Sequence, residues 1–353
     1  MNISIDCRMI DASGVGVYLR ECLPYLLDSP HSFMLLGDKK KLVSFSNNYQ
    51  NTQVIHCTIK PFSFRELLAF PLKKIINQTD LFYSPYFNIP GGITVPIYTT
   101  IHDIIFPDMP ELTSKTGHAA RMWFYRRAFR RSKKIFTVSQ FSRSRLEIHL
   151  GKKIPIIVTH SAIQPHFLRN DFMIPVEKKQ GIVFIGNIKK HKGLSILLDA
   201  FFKARREGLP HKLVIVGEKN NFRSKDNEAL EKLKSADPSF VEFTGFISDE
   251  KLKVLLAQAA LLVQPSLYEG FGLPPLEAMI CGTQALISDI PVFKEIYAEF
   301  PVTFFHAGDS NDLKEKLMAL LYDKKAETLM LPESLASKYT FEKTAGIIMG
   351  ALR

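Results

Sequence analysis

Continuous apolar runs, each followed by a helix-like stretch, recur along almost the whole chain and leave little choice of fold class. Residues 95–101 (VPIYTTI), 181–186 (GIVFIG), 211–217 (HKLVIVG) and 261–263 read as strands, and helical patterns alternate with them. Strands alternating with helices in this way argue for parallel sheets covered by helices on both faces. The start, MNISIDCRM, reads as a first strand over residues 3–7, not as the charged-then-apolar layout of a signal peptide. A loop with Gly14 and Gly16 follows, then a helix from Val17 to about Leu27. Ser63 to Glu66 (SFRE) is a capping box. Ser139 caps a helix that Gly151 stops, and Ser248 caps another with Asp249 and Glu250 in its first turn.

The 353 residues suffice for two domains of ordinary size. The polar, proline-containing stretch RNDFMIPVEKKQ is the expected linker, 169–180. It separates an α/β domain over 1–168 from a second over 181–337, and an amphipathic helix ends the chain within 338–353. Two doubly wound domains imply a cleft between them, with ligands beyond the carboxyl ends of the strands.

The most informative run for chemistry is LVQPSLYEGFGLPPLEAM, residues 262–279. It places Glu269 and Glu277 eight positions apart around Gly270, Phe271, Gly272, Leu273 and Pro274. It reads as strand, glycine loop and helix N-terminus, because proline is tolerated at a first helical position. Free N–H groups and partial positive charge at that end suit a phosphate, and flanking carboxylates suit sugar and ribose hydroxyls. Glu277, at about the third helical position, is also where a glutamate often only caps. Gly-Phe-Gly on a loop, however, puts a large apolar ring where no core needs it. The loop GNIKKHKG, residues 186–193, carries Lys189, Lys190 and Lys192 at or before a second helix N-terminus. Lysines there can neutralise a diphosphate as charge leaves a sugar, although three lysines on a loop can also be a solvated surface. His102-Asp103 ends a buried strand, a place suited to substrate contact.

The run EGFGLPPLEA resembles the E-x7-E signature of glycosyltransferase family 4, retaining enzymes that use nucleotide sugars. The likeness covers most of the chain and is strongest over 181–289. It implies the GT-B fold: two Rossmann-like domains facing across a cleft, the nucleotide held mainly by the second, and the last helix crossing back to the first. It implies that Glu269 holds donor-sugar hydroxyls, that Glu277 holds the ribose, and that the Gly270–Gly272 backbone meets the diphosphate. Lys192 matches the usual lysine of the phosphate loop. Where many members have arginine this chain has Asn187, so Lys189 or Lys190 is the candidate for the second basic contact. His102 would sit beside the reacting carbon, Gly14 and Gly16 near the diphosphate and acceptor, and Phe246 and Ile247 at the base. The stretches IDCRMIDASGVGVY and DLFYSPYFNIP are similar to the subgroup that builds bacterial O-antigen and capsule glycans, often mannosyltransferases.

The chain carries a formal net charge of +11. Residues 1–165 hold 21 Lys plus Arg against 11 Asp plus Glu, and the remainder holds 25 against 24. Residues 112–146 contain no acid, and Arg126, Arg127, Arg130 and Arg131 interleave there with aromatic side chains. That pattern suits a core helix, an anionic membrane surface or nucleic acid. No stretch of about 18 apolar residues is present to span a bilayer. The four cysteines are scattered, as in a reducing compartment.

The expectation is therefore a retaining hexosyltransferase, cytoplasmic or peripheral at the inner face of the membrane. It would move a sugar from a nucleotide-diphosphate donor to a glycan or lipid-linked acceptor in surface polysaccharide synthesis. GDP-mannose is the first expectation for the donor; UDP-linked glucose, galactose or N-acetylhexosamine come next. No Asp-x-Asp triplet occurs, so no metal and no cofactor are expected. The alternatives are a nucleotide-sugar epimerase or phosphorylase on the same fold, a nucleic-acid-binding protein, and a catalytically silent glycan-binding partner. Nucleic acid is not the expected partner, because no RNA-binding motif accompanies the basic stretch.

Overall fold

The computed structural model describes residues 1–168, 181–217, 226–322 and 329–352; the expected linker, 169–180, lies outside them. Packing divides the chain into two units, Met1–Ala162 with Tyr339–Arg353, and Ile163–Lys338. The short helix Pro165–Leu168 falls in the second unit.

The first unit is built on seven strands: β1 (Asn2–Asp6), β2 (Ser32–Gly37), β3 (Thr52–His56), β4 (Leu81–Ser84), β5 (Ile97–Thr100), β6 (Ser132–Thr137) and β7 (Ile156–Val158). They lie in the order β3-β2-β1-β4-β5-β6-β7, and every pair is parallel. The second unit has six: β8 (Gly181–Ile185), β9 (Lys212–Val216), β10 (Val241–Gly245), β11 (Ala259–Gln264), β12 (Ala285–Ser288) and β13 (Thr303–Phe305). Their order is β10-β9-β8-β11-β12-β13, again all parallel. Both sheets are doubly wound, as the alternation of strands and helices implies. The strand order reverses between β1 and β4 in one and between β8 and β11 in the other. At such a point two loops leave neighbouring strands toward opposite faces, which opens a crevice.

Helix ends follow their capping chemistry. Ser139 accepts from the Ser142 N–H and Ser248 from the Lys251 N–H, while Gly151 takes a positive φ of 95° to end its helix. The C-terminal helix Phe341–Ala351 packs on the helix Ser13–Leu27 and shares one apolar core with β1, β2 and β4. Thr344 Oγ1 fastens it by donating to the Thr159 carbonyl at 3.1 Å.

One expectation is corrected here. Gly14 and Gly16 lie in the first turn of the helix Ser13–Leu27, not in a loop before it. A Cβ on Gly16 would stand 2.4 Å from the Ile10 carbonyl oxygen. The glycine thus serves close backbone approach within a helix that begins four residues earlier than its apolar pattern.

The Ser63–Glu66 box is also only half of what the sequence implies. Ser63 Oγ accepts from the Glu66 N–H at 3.2 Å. The Glu66 carboxylate, however, turns inward and is fully buried. It accepts from the Phe62 N–H at 2.7 Å and from Asn88 Nδ2 at 2.7 and 2.8 Å, and it pairs with Arg8. Arg8 in turn holds Asp6 at the end of β1 through Nε at 2.8 Å. Buried charges of this kind are tolerated because each is paired and hydrogen-bonded; removing one partner leaves another stranded. Glu66→Ala should therefore destabilise the first unit by about 3 kcal/mol or more. Denaturant unfolding followed through first-unit probes checks this, and a loss below about 1 kcal/mol would show the network to be unimportant.

Candidate functional site

Strands β8 and β11 are neighbours, so the loops after them, residues 186–193 and 265–273, start side by side. They meet backbone to backbone. Gly193 has a left-handed φ of 68°, and a Cβ there would lie 1.9 Å from the Pro265 carbonyl oxygen. Only glycine meets both demands. The Leu267 N–H donates to the His191 carbonyl at 2.7 Å and fastens the loops further.

This contact brings together two residues singled out above. Lys192 Nζ donates to both oxygens of Glu269, at 2.7 and 2.9 Å. Ser266 Oγ donates to Glu269 Oε1 at 2.8 Å and accepts from Gln264 Nε2 at 3.0 Å. Gln264 and Ser266 are buried, while Lys192 and Glu269 reach the surface of the unit. The result is a rigid base carrying one ammonium and one carboxylate.

Asn187 lies half-buried on the first loop, and its carbonyl accepts from the Lys189 N–H at 2.8 Å. Lys190 is exposed. His191, which the sequence reading passed over, is held neutral: burial first, then Lys192 and Lys189, pushes it down to about 3. Its Nδ1 is buried with no hydrogen-bond partner among the described residues. Its signal in the sequence was only its place between two lysines.

Gly272 adopts φ 85°, and its carbonyl accepts from the Tyr297 hydroxyl. Leu273 precedes the helix Pro274–Ile280 without a side-chain cap. The Phe271 ring is only 4% exposed, which corrects the expectation that no core needs it. The loop folds so that the ring leaves water, as the hydrophobic effect favours. Glu277 is the fourth residue of its helix, 8% exposed, and makes no cap. Burial, with Asp249 adding to it, pushes its carboxyl up to about 7. Phe246 and Ile247 follow β10 on a different part of the sheet edge. Phe246 is 88% exposed, an unusual place for a phenyl ring.

In the first unit, His102 follows β5, and its Nε2 lies 3.0 Å from the Pro85 carbonyl oxygen. A carbonyl can only accept, so Nε2 carries the proton. Burial pushes the imidazole down to about 4 against the pull of that carbonyl, leaving a neutral ring with its lone pair on Nδ1. Tyr18, one turn beyond Gly14, packs edge-on against this ring at 4.7 Å. Asp103 accepts from the Ile105 N–H and caps the next turn. The four arginines separate into two pairs. Arg127 and Arg131 donate to the carbonyls of Ile89, Pro90 and Ile93, while Arg126 and Arg130 make no such bond among the described residues; all but the half-buried Arg127 are exposed. Among the described residues no group of three or more His, Cys, Asp and Glu is placed to hold a metal ion.

Comparison with known proteins bears directly on this arrangement. Residues 12–167 match the model described as Glycosyltransferase Family 4, and residues 169–332 match Glycosyl transferases group 1. The chain is 28% identical over 245 residues to O-antigen chain mannosyltransferase B of Escherichia coli, covering 66% of this chain and 62% of that protein. It is 28% identical over 243 residues to O-antigen chain mannosyltransferase RfbU of Salmonella typhimurium, covering 66% and 61%. The match thus spans under two thirds of either relative's length. Among solved structures, sucrose-phosphate synthase from Thermosynechococcus elongatus superposes with a TM-score of 0.73 at 17% identity, covering 100% of this chain and 98% of that one. HepE from Anabaena, in complex with UDP and glucose, gives 0.72 at 18% identity, covering 100% and 99%. With two domain models matching end to end over most of its length, the chain belongs to the group 1 and family 4 glycosyltransferases of the GT-B fold.

Proposed function

We propose that the protein is a retaining, metal-independent hexosyltransferase that takes its sugar from a nucleotide-diphosphate donor, with GDP-mannose as the first candidate and UDP-sugars next. The reading rests above all on the Lys192–Glu269 pair at the strand-order reversal of the second unit. The names of the O-antigen mannosyltransferase relatives support mannose, and the UDP and glucose in the HepE complex support the donor class. The same relatives support a glycan or lipid-linked acceptor in surface polysaccharide synthesis.

The donor diphosphate is a stronger partner for Lys192 than a single carboxylate. On binding it draws the ammonium toward itself and frees Glu269 to accept from sugar hydroxyls. Lys192, with Asn187 and Lys189 on the same loop and the backbone of Gly270 and Gly272, stabilises the charge that develops as the diphosphate leaves. Glu277 accepts from the ribose hydroxyls, beyond Phe271 and Leu273. Phe246 and Ile247 offer apolar surface to the base. His102, neutral and with Nε2 engaged, offers its Nδ1 lone pair to a donor-sugar hydroxyl. The helix turn at Gly14 and Gly16, with Tyr18 against His102, forms the acceptor side together with Arg126 and Arg130. The acceptor hydroxyl attacks the anomeric carbon on the face from which the diphosphate departs. The C–O bond to phosphate breaks, and the departing phosphate oxygen takes the acceptor's proton.

The first test is NMR of the protein with GDP- and UDP-sugars, with and without EDTA. Slow release of free sugar from one donor, unchanged by EDTA, is the expected result; release that needs a divalent ion would refute metal independence. Calorimetry then separates the roles in the ion pair. Lys192→Ala should weaken nucleoside diphosphate binding about tenfold or more, the value of a charge-assisted hydrogen bond. Glu269→Gln should bind the same diphosphate more tightly than the wild type, because Lys192 is released, while transfer is almost lost. Equal or weaker binding by Glu269→Gln would refute the competition.

Glu277 gives a pH dependence whose sign is fixed. Its carboxyl, raised to about 7, must be ionised to accept from two ribose hydroxyls. Nucleotide-sugar affinity should fall as pH drops from 8 through 7 to about 6, and Glu277→Gln should bind weakly with no such slope. A nucleotide sugar has no phosphate group titrating there, and His102 and His191 titrate lower, at about 4 and about 3. A flat wild-type profile would remove Glu277 from the ribose.

A further inference from the structure

The helix Phe64–Leu68 is inside out. Its fully buried side chain is the Glu66 carboxylate, and its apolar residues Phe64 and Leu68, one turn apart on a shared face, are 84% and 81% exposed. Ordinary amphipathic helices do the opposite. The orientation is enforced. Glu66 is pinned inward by Arg8, Asn88 and the Phe62 N–H, so the opposite face has nowhere to go but solvent. Phe62 itself sits at a positive φ of 65°, a strained conformation for a bulky residue, with its ring also exposed.

This face continues onto the basic helix Lys115–Arg131. The Phe62 ring meets Phe124 at 4.9 Å, and Phe124 meets the exposed Trp123 at 5.0 Å. Residues 89–93 bridge the two helices. The Gly91 N–H donates to the Glu66 carbonyl at 2.9 Å, and Arg127 holds the Ile89 and Pro90 carbonyls from the other side. The exposed charges of the segments that carry this apolar face have one sign. Lys60, Arg65, Lys73 and Lys74 are exposed, and the only acid between 58 and 78 is the buried Glu66. Arg126 and Arg130 extend the basic rim where residues 112–146 hold no acid.

We infer that this face inserts into the interfacial layer of an anionic bilayer, Phe62, Phe64, Leu68 and Trp123 entering the apolar boundary while the lysines and arginines meet lipid phosphates. Apolar side chains on segments whose exposed charges are cationic fit that surface. The inference deepens the reading of the first unit as the acceptor side by naming its partner, a membrane carrying negatively charged lipid. It implies that a lipid-linked acceptor is met in the plane of the membrane.

Trp123 is the chain's only tryptophan, so its fluorescence reports on this face alone. Vesicles of phosphatidylglycerol and phosphatidylcholine in equal parts should shift its emission to the blue, brominated lipid should quench it, and pure phosphatidylcholine should do much less. Phe64→Ser with Leu68→Ser should lower vesicle affinity about tenfold or more, since each side chain loses its apolar burial. The thermal melting point should stay unchanged, as neither side chain is packed in the free protein. No blue shift at low salt, or equal affinity in the double variant, would overturn the inference. So would sedimentation showing, without lipid, a dimer that the double variant abolishes. The measurement needs no donor and no turnover, so its failure is distinct from failure of the transferase reading.

Discussion

Gly193 and Pro265 come closer than any side chain would allow, and the charged site of the second unit depends on that approach. The parallel sheet supplies the first half of the cause by making β8 and β11 neighbours. Glycine supplies the second half by letting the following loops touch along their backbones. The His191 carbonyl then accepts from Leu267, and the register of one loop on the other is fixed. Only with that register do Lys192 and Glu269, 77 residues apart, share two hydrogen bonds. A Cβ at 193 would separate the loops by more than the reach of those bonds tolerates.

Much of this was legible in the sequence, and the boundary is physical. Local rules read correctly where the cause was local: Ser139 and Ser248 cap their helices, and Gly151 stops one. The parallel sheets followed from strands and helices that alternate along the chain. Gly14 and Gly16 were misread because glycine is usually a loop signal, whereas here both lie in a helix, and at Gly16 that helix needs a missing Cβ against Ile10. The Phe271 ring was misread because the loop's apolar and glycine residues do not by themselves show which side chains leave water. The Lys192–Glu269 pairing was not derivable from either motif alone; only the family likeness placed both at one ligand. The inward turn of Glu66 was hidden for the same reason, since Arg8 and Asn88 lie 58 and 22 residues away.

Three buried titratable groups near the candidate residues are driven toward neutrality: Glu277 upward, His102 and His191 downward, each chiefly by loss of water. Lys192 and Glu269 pair with each other. The second unit's loops thus hold their charges in a form that costs little in the free protein. On the proposed reading, a donor with two negative phosphates would change the balance, because it would offer Lys192 more charge than Glu269 does. The pair would then be a store of oriented groups, held in place by Ser266 and Gln264 and released by the ligand they serve.

Several of the places where this chain breaks the rules of burial lie close to the candidate residues. His191 Nδ1 is buried without a partner, Glu277 is buried without a cap, and Phe246 stands in solvent. All three lie in the second unit, on or just after loops that leave the carboxyl ends of strands, where a doubly wound sheet binds ligands. Another exception, Phe64 and Leu68 outside and Glu66 inside, lies on the first unit near exposed lysines and arginines. A sequence selected only to fold would exchange these residues: an apolar side chain for Glu66, polar ones for Phe64 and Leu68. Instead the fold invests a buried four-residue polar network in keeping the helix reversed. A cost carried by the free protein at a defined surface is recovered only when that surface is covered. On the two proposals made above, the first set serves a nucleotide-sugar donor on the second unit and the second an anionic membrane surface on the first.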